Sequence, residues 1–293
     1  LPDTLTEVDV AALKSSHLFL SRALEGELVF PDFAAFSVTL DKVFDCAAVY
    51  DQGHVATYIP QLACVDPAQF GAACCSIDGQ QWTRGDHDAW FSLQSVSKTI
   101  TYALVLEELG ADRVHRFVGR EPSGAGFNER VLNADGLPHN PLINSGAIMA
   151  CTLIKPTLHV SHRFDFVMAT WKRVCGGQRA QFNNATYLSE RDTADRNFCL
   201  AYMMREEGVF PEGTNLTTTL ELYFMLCSIE VTVDMLAVAA ATLASGGVCP
   251  LTGDRVFAEQ TVRNTLSVTA SCGMYDASGQ FCFDIGFPAK SGV

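Results

Sequence analysis

Apolar residues recur at helical spacing from Val8 to Leu24 and again from Phe30 to Val49, so residues 1–55 read as a helical N-terminal region. Asp51-Gln52-Gly53-His54 breaks that pattern. The chain then changes character. Phe70 to Ile77 is small and apolar, Asp78-Gly79 is a hairpin signal, and Gln80 to Arg84 returns as a second strand. Gly85-Asp86 opens a turn, and Trp90 to Leu93 is a short apolar run. Ser95 to Leu109 predicts a helix that Gly110 stops. A long, mostly helical stretch follows, with loops at Glu121-Pro122-Ser123-Gly124 and Pro138 to Pro141. Val231 to Leu243 predicts another buried helix, ended by Gly246-Gly247. Phe281 to Phe287 alternates as a strand does, and Ala289 to Val293 starts or continues another. Strands, then helices, then strands again place the chain in the α+β class. A large helical lobe is inserted between the halves of an antiparallel sheet.

Composition narrows the function. With 293 residues, 48% of them hydrophobic, the chain can bury a sizeable core. Its formal charge of −13 gives no electrostatic footprint for nucleic acid. No stretch approaches the ~18 apolar residues that insert into a membrane; the longest, Met235 to Ala244, reads as a buried helix. The 11 cysteines are odd in number and contain no C-x-x-C pair. Cys74 and Cys75 are adjacent, which suits neither a disulfide framework nor tetrahedral zinc. Cysteines in apolar surroundings, such as Cys64, read as small buried hydrophobes in a reducing compartment. His54, His139, His159 and His162 have no metal-ligand spacing, so no metal is expected.

The sharpest local feature is Gln94-Ser95-Val96-Ser97-Lys98. Spacing i, i+3 puts Ser95 and Lys98 on one helix face, near an N-terminus whose unpaired N–H groups favour developing negative charge. A desolvated lysine there can accept the serine proton, the Ser–Lys form of nucleophilic catalysis. A capping serine beside an exposed lysine gives the same letters. Lys290-Ser291-Gly292 changes the weighting, because K-[ST]-G accompanies S-x-x-K in serine β-lactamases and penicillin-binding proteins. The third motif of that superfamily, S-D-N or Y-x-N, is absent.

Further segments, taken with these, resemble the glutaminase family, in particular its animal kidney/liver-like branch. They include Tyr58-Ile59-Pro60-Gln61-Leu62-Ala63, Pro138-His139-Asn140-Pro141, Asn144-Ser145-Gly146-Ala147-Ile148, Ser189-Glu190-Arg191 and Asp195-Arg196-Asn197. Cys227 to Thr232, Ser271 to Asp276 and Pro288 to Val293 continue the likeness over nearly the whole chain. The resemblance implies a β-lactamase/penicillin-binding-protein-like catalytic domain over residues 56–293, and hydrolysis of L-glutamine to L-glutamate and ammonia. It implies Ser95 as nucleophile, Lys98 as base and Tyr275 in proton transfer. Tyr58, Asn144, Glu190, Asn197, Tyr223 and the Val293 backbone would join Ser95 and Tyr275 in binding substrate. No metal or organic cofactor is needed. A mitochondrial location, otherwise a cytoplasmic one, and a homo-oligomer, a tetramer in relatives, are implied in the same way.

Relatives continue past the Lys290 motif with a Gly-rich strand and a closing helix. The expectation is therefore a chain cut short at its C-terminus, with Phe70 to Arg84 left as an exposed sheet edge. Residues 127–132 match the loop tied in relatives to phosphate activation and tetramer contacts, yet Glu129-Arg130-Val131 departs from their usual residues. Two other readings stay open: a different β-lactamase-superfamily serine hydrolase, and an impaired, truncated glutaminase acting as an assembly partner.

Overall fold

The computed structural model describes residues 6–124 and 132–292. Residues 127–131, in the loop compared with relatives, and Val293 lie outside the described residues. The expected hairpin is present. β1 (Gly71–Cys75) pairs antiparallel with β2 (Gln81–Gly85), from Cys75 opposite Gln81 to Gly71 opposite Gly85. Gly79 takes φ +91° in the turn, a conformation that costs a glycine nothing. A second antiparallel sheet gathers three short strands from distant parts of the chain: β3 (Phe91–Ser92), β4 (Gln181–Phe182) and β5 (Ile229–Val231), in the order β3-β5-β4.

Helices supply the core. The helix Ser97–Leu109 is buried continuously from Ser97 to Leu106, so no polar stripe faces water. The helices Asn144–Leu153, Val160–Val174 and Glu259–Cys272 pack around it. Ile100, Leu104 and Val105 are each 3% exposed or less, and burial of each such side chain stabilises the fold by roughly 1.5–3 kcal/mol. The helix Val233–Ala244 lies against β1.

The structure differs from the sequence expectation at four places. Val8 to Leu24 is two helices, Glu7–Ser16 and Leu18–Glu25, because His17 is extended (φ −137°) between them. Phe281 to Phe287 is not a strand: Ser278–Ile285 is a helix, ended by Gly286 at φ +80°. Its period-two apolar pattern was too short to separate the two states, and no described strand offers it a partner. Residues 289–292 likewise belong to no strand. Cys64 is exposed, as are Cys46, Cys199 and Cys282, while five other thiols are buried. Cys64 follows the four-residue helix Pro60–Ala63 at the surface, where local apolar sequence does not report tertiary burial.

Candidate active site

Ser95 lies in a 3-10 turn, Gln94–Val96, immediately before the buried helix that carries Lys98. The turn preserves the i, i+3 approach: Lys98 Nζ donates to Ser95 Oγ at 2.5 Å and to Asn144 Oδ1 at 2.8 Å. Lys98 is 2% exposed, and burial pulls its pKa from 10.5 down to about 8. A measurable fraction of the amine is therefore neutral near physiological pH and able to accept a proton. Asn144, the first residue of the helix Asn144–Leu153, passes the contact on: its Nδ2 donates to Asn197 Oδ1 at 3.3 Å. The loop before this helix is held by Asn140, which accepts from Leu142 N–H and donates to the Glu121 carbonyl, both at 3.0 Å.

On another side, Tyr58 donates to Gln94 Oε1 at 2.6 Å and contacts Glu190 Oε1 at 2.8 Å. Glu190, on the helix Asn184–Asp192, is 5% exposed, and burial raises its carboxyl pKa despite bonds from Tyr58 and Gln94. Gln94 sits at φ +47°, a strained setting for a side chain with a Cβ. It is over-determined: Ser97 Oγ donates to its carbonyl at 2.7 Å, and its Nε2 donates to Ser92 Oγ at 3.2 Å.

Tyr275 sits at φ +52°, fixed by Ser278, which donates to its carbonyl at 2.7 Å and accepts from Met274 N–H at 2.9 Å. Its hydroxyl accepts from Lys290 Nζ at 3.1 Å and is hydrogen-bonded to Ser95. Burial, then repulsion from Lys98, brings Lys290 down to about 6. The segment carrying Lys290 is clamped by two glycines. A Cβ on Gly273 would stand 1.8 Å from the Ala289 carbonyl oxygen, and one on Gly292 would press on Val96 at 3.0 Å. The Lys-Ser-Gly segment thus lies directly on the Gln94–Val96 turn. Tyr223, on the helix Leu216–Cys227, is 5% exposed, with its ring 5.8 Å from Lys98 Nζ.

Eight of the nine sequence-derived site residues therefore fall in the described region. Contacts link Ser95, Lys98, Asn144, Asn197, Tyr223 and Tyr275 in one group, and Tyr58 and Glu190 join it through Gln94 and through the field Glu190 exerts on Lys98. Val293 is the one not described. The sequence assigns Gln94 and Lys290 no site role beyond their motifs, yet both make contacts central to this group. Their adjacency to Ser95 and Ser291 was the available signal.

The fold is α+β and β-lactamase-like, with a serine and a buried lysine at the head of its central helix. The chain belongs to the glutaminase family, whose model, described as Glutaminase, matches residues 53–293. It is similar to the mitochondrial liver isoform of glutaminase from Rattus norvegicus, 45% identical over 96% of this chain and 47% of the relative. It is also similar to glutaminase 2 of Clostridium perfringens, 40% identical over 83% of this chain and 80% of that protein. The crystal structure of Mglu in its native form superposes with a TM-score of 0.80 at 39% identity, covering 86% of this chain and 60% of that one. The chain thus spans about half the length of the rat relative.

Proposed function

We propose that the chain hydrolyses L-glutamine to L-glutamate and ammonia through a Ser95 acyl-enzyme. The observation that carries the reading is the 2.5 Å contact from Lys98 Nζ to Ser95 Oγ, made by a fully enclosed lysine. Neutral Lys98 takes the Ser95 proton as Oγ bonds to the carboxamide carbon. The carbonyl π pair moves onto oxygen, and the oxyanion is met by the Ser95 N–H at the helix head and, in this reading, by the Val293 N–H. One such donor is worth roughly 3–4 kcal/mol. Collapse of this intermediate breaks the C–N bond. The departing nitrogen takes the proton that Lys98 accepted, beside the Tyr275 hydroxyl that is hydrogen-bonded to Ser95, and leaves as ammonia. Water, giving its proton to the same group, then attacks the glutamyl ester and returns Ser95 Oγ–H and glutamate.

The remaining polar residues suit a free amino acid. The Glu190 carboxylate complements the α-ammonium, while Tyr58, Asn144 and Asn197 offer donors to the α-carboxylate. Support for the substrate comes from the family, and from Mglu, which has been crystallised in a glutamate form. Mitochondrial residence and a homo-oligomeric state belong to the same proposal; the printed names of the rat and mouse liver isoforms support the first. The test is ammonia release from glutamine by the purified chain, with Ser95→Ala and a chromogenic β-lactam as comparisons. Release that Ser95→Ala abolishes supports the reading. Release unchanged by Ser95→Ala, or turnover of the β-lactam alone, overturns it.

A further inference from the structure

The helices that carry Lys98 and Asn144 both begin at the candidate active site, and both end at a second cavity. Thirteen residues of helix, about 20 Å, separate the two ends of Ser97–Leu109, so this cavity is remote from Ser95. It encloses about 680 Å³, within the range of cavities that take small organic molecules. One wall is apolar: Leu109, Phe117, Leu153, Leu158 and Pro211. Two arginines, Arg113 and Arg163, also line it, with Glu212 as the one acidic residue in the lining. Arg163 is 5% exposed. Its Nε donates to the Ile154 carbonyl at 2.8 Å and its Nη2 to the Cys151 carbonyl, both at the C-terminal end of the helix Asn144–Leu153. Among the described residues, Nη1 has no hydrogen-bond partner and no carboxylate pairs with the guanidinium.

Two carbonyls at a helix end supply only partial negative charge. Burial pulls the Arg163 pKa down, as it does for a cation short of counter-charge. Arg113 is exposed and forms no ion pair among the described residues. Thr219 is 2% exposed and lines the same cavity, and its hydroxyl makes no hydrogen bond among the described residues. Buried donors left without partners favour a ligand that brings acceptors. We infer that this cavity binds a small organic anion: a carboxylate or phosphate head held by Arg163, Arg113 and Thr219, with an apolar body against Leu109, Phe117 and Leu158. A bare inorganic ion would leave the apolar wall to water, and a neutral apolar molecule would leave the guanidinium unpaired. The inference does not depend on the Ser95 chemistry proposed above.

The experiment is titration calorimetry on the purified chain with four probes: octanoate, octyl phosphate, inorganic phosphate and octanol. Octanoate, octyl phosphate or both bind saturably, and the tighter of the two identifies the head that the arginines prefer. Inorganic phosphate lacks the body and octanol lacks the charge, so each binds at least about tenfold more weakly than the matching amphiphile. Arg163→Met lowers the affinity by about ten- to hundredfold, the weight of one charge-assisted hydrogen bond. Arg113→Glu lowers it by about tenfold, through repulsion of the head. Arg163 also ties down the end of the helix Asn144–Leu153, so Arg163→Met could fail to fold; Arg113→Glu, at an exposed position, then decides alone. Saturable binding that weakens in these variants supports the inference. Absence of saturable binding by both amphiphiles overturns it, as does octanol binding as tightly as octanoate or inorganic phosphate as tightly as octyl phosphate. An affinity that Arg113→Glu leaves unchanged places the anion elsewhere and overturns it too.

Discussion

Two regions of this molecule are held by different physics. Around the helix Ser97–Leu109, ten consecutive residues are buried and the attachment is apolar packing on every side. The three N-terminal helices, Glu7–Ser16, Leu18–Glu25 and Phe33–Ala48, contain no buried residue. They are tied to the hairpin by directed contacts: Arg22 Nη1 to the Ile77 carbonyl at 3.1 Å, Trp82 Nε1 to Asp41 at 3.1 Å, and Arg84 to Asp41 and Asp45. The proposed chemistry sits in the first region, where water is excluded enough to alter a lysine. The second region uses ordinary carboxylates and cations at ordinary cost. If this contrast is right, changes in the first move activity by orders of magnitude, and changes in the second move local stability and little else.

The largest effect expected is from Lys98→Met. Glutamine hydrolysis falls by about 10^3- to 10^4-fold, the scale of losing one member of a nucleophilic unit. Stability does not fall with it, because a buried amine without a carboxylate partner is costly to enclose and an apolar side chain of similar length is not. Equal losses of activity and of Tm would break the contrast, since Lys98 would then be part of the scaffold. Gly146→Ala comes next. A Cβ there meets the Asn140 carbonyl oxygen at 1.9 Å, a backbone atom that cannot swing aside. Displacing that loop costs about 3 kcal/mol in urea unfolding, at the upper end for overpacking, and pulls Asn144 away from Lys98.

The same contrast governs what the sequence reveals. The hairpin was legible because Asp78-Gly79 must turn and its flanks have strand character. The helix from Ser97 was legible because Gly110 ends it. The helix Ser278–Ile285 was not, because Phe281, Phe283 and Ile285 have strand spacing and only the preceding turn at Tyr275 commits the backbone. The left-handed backbone of Gln94 and Tyr275 leaves no mark in residue type; both are imposed by hydrogen bonds from Ser97 and Ser278. Lys290's low pKa is a tertiary fact, set by burial and by a second lysine 192 positions earlier. The polar residues around the dyad were reached through family likeness, because spacing alone brings Ser95 to Lys98 but not to Asn144 or Glu190.

Asp78 sharpens the comparison from the N-terminal side. It is 0% exposed, and it accepts from Ser76 Oγ, Val29 N–H and Gln80 Nε2, which also reaches the Phe30 carbonyl at 3.2 Å. Burial pushes its carboxyl up, and the bonds from Ser76, Val29 and Gln80 outweigh that, holding it below the ordinary 3.8. A depressed folded pKa gives stability that is present above the unfolded value and lost as pH falls through the folded one. Docking of Val29 and Phe30 therefore weakens only below about pH 4. Asp78→Asn replaces one acceptor by a donor facing another donor, and costs about 1–3 kcal/mol. Amide exchange at Val29 and Phe30 accelerates, while kcat for glutamine stays within about twofold because no site residue touches this node.

Arg84→Ala is the smallest change expected and the cleanest probe of the outer region. Its guanidinium donates to the Asp41 carbonyl at 3.0 Å, pairs with Asp41 at 3.2 Å and Asp45 at 2.8 Å, and lies 5.1 Å from the Phe44 ring centroid. So many contacts invite a large estimate, but all three charged side chains are at least one-third exposed. Exposed pairs are worth about 0.2–1 kcal/mol each, and contacts sharing one side chain do not add. The expected loss is about 0.5–1 kcal/mol at low salt, shrinking in 1 M salt as the Debye length falls to about 3 Å. What remains at high salt reports the stem and ring packing, which screening does not touch. A loss above about 2 kcal/mol, or one indifferent to salt, would mean that the N-terminal helices are held by burial after all, and the two regions would no longer differ in kind.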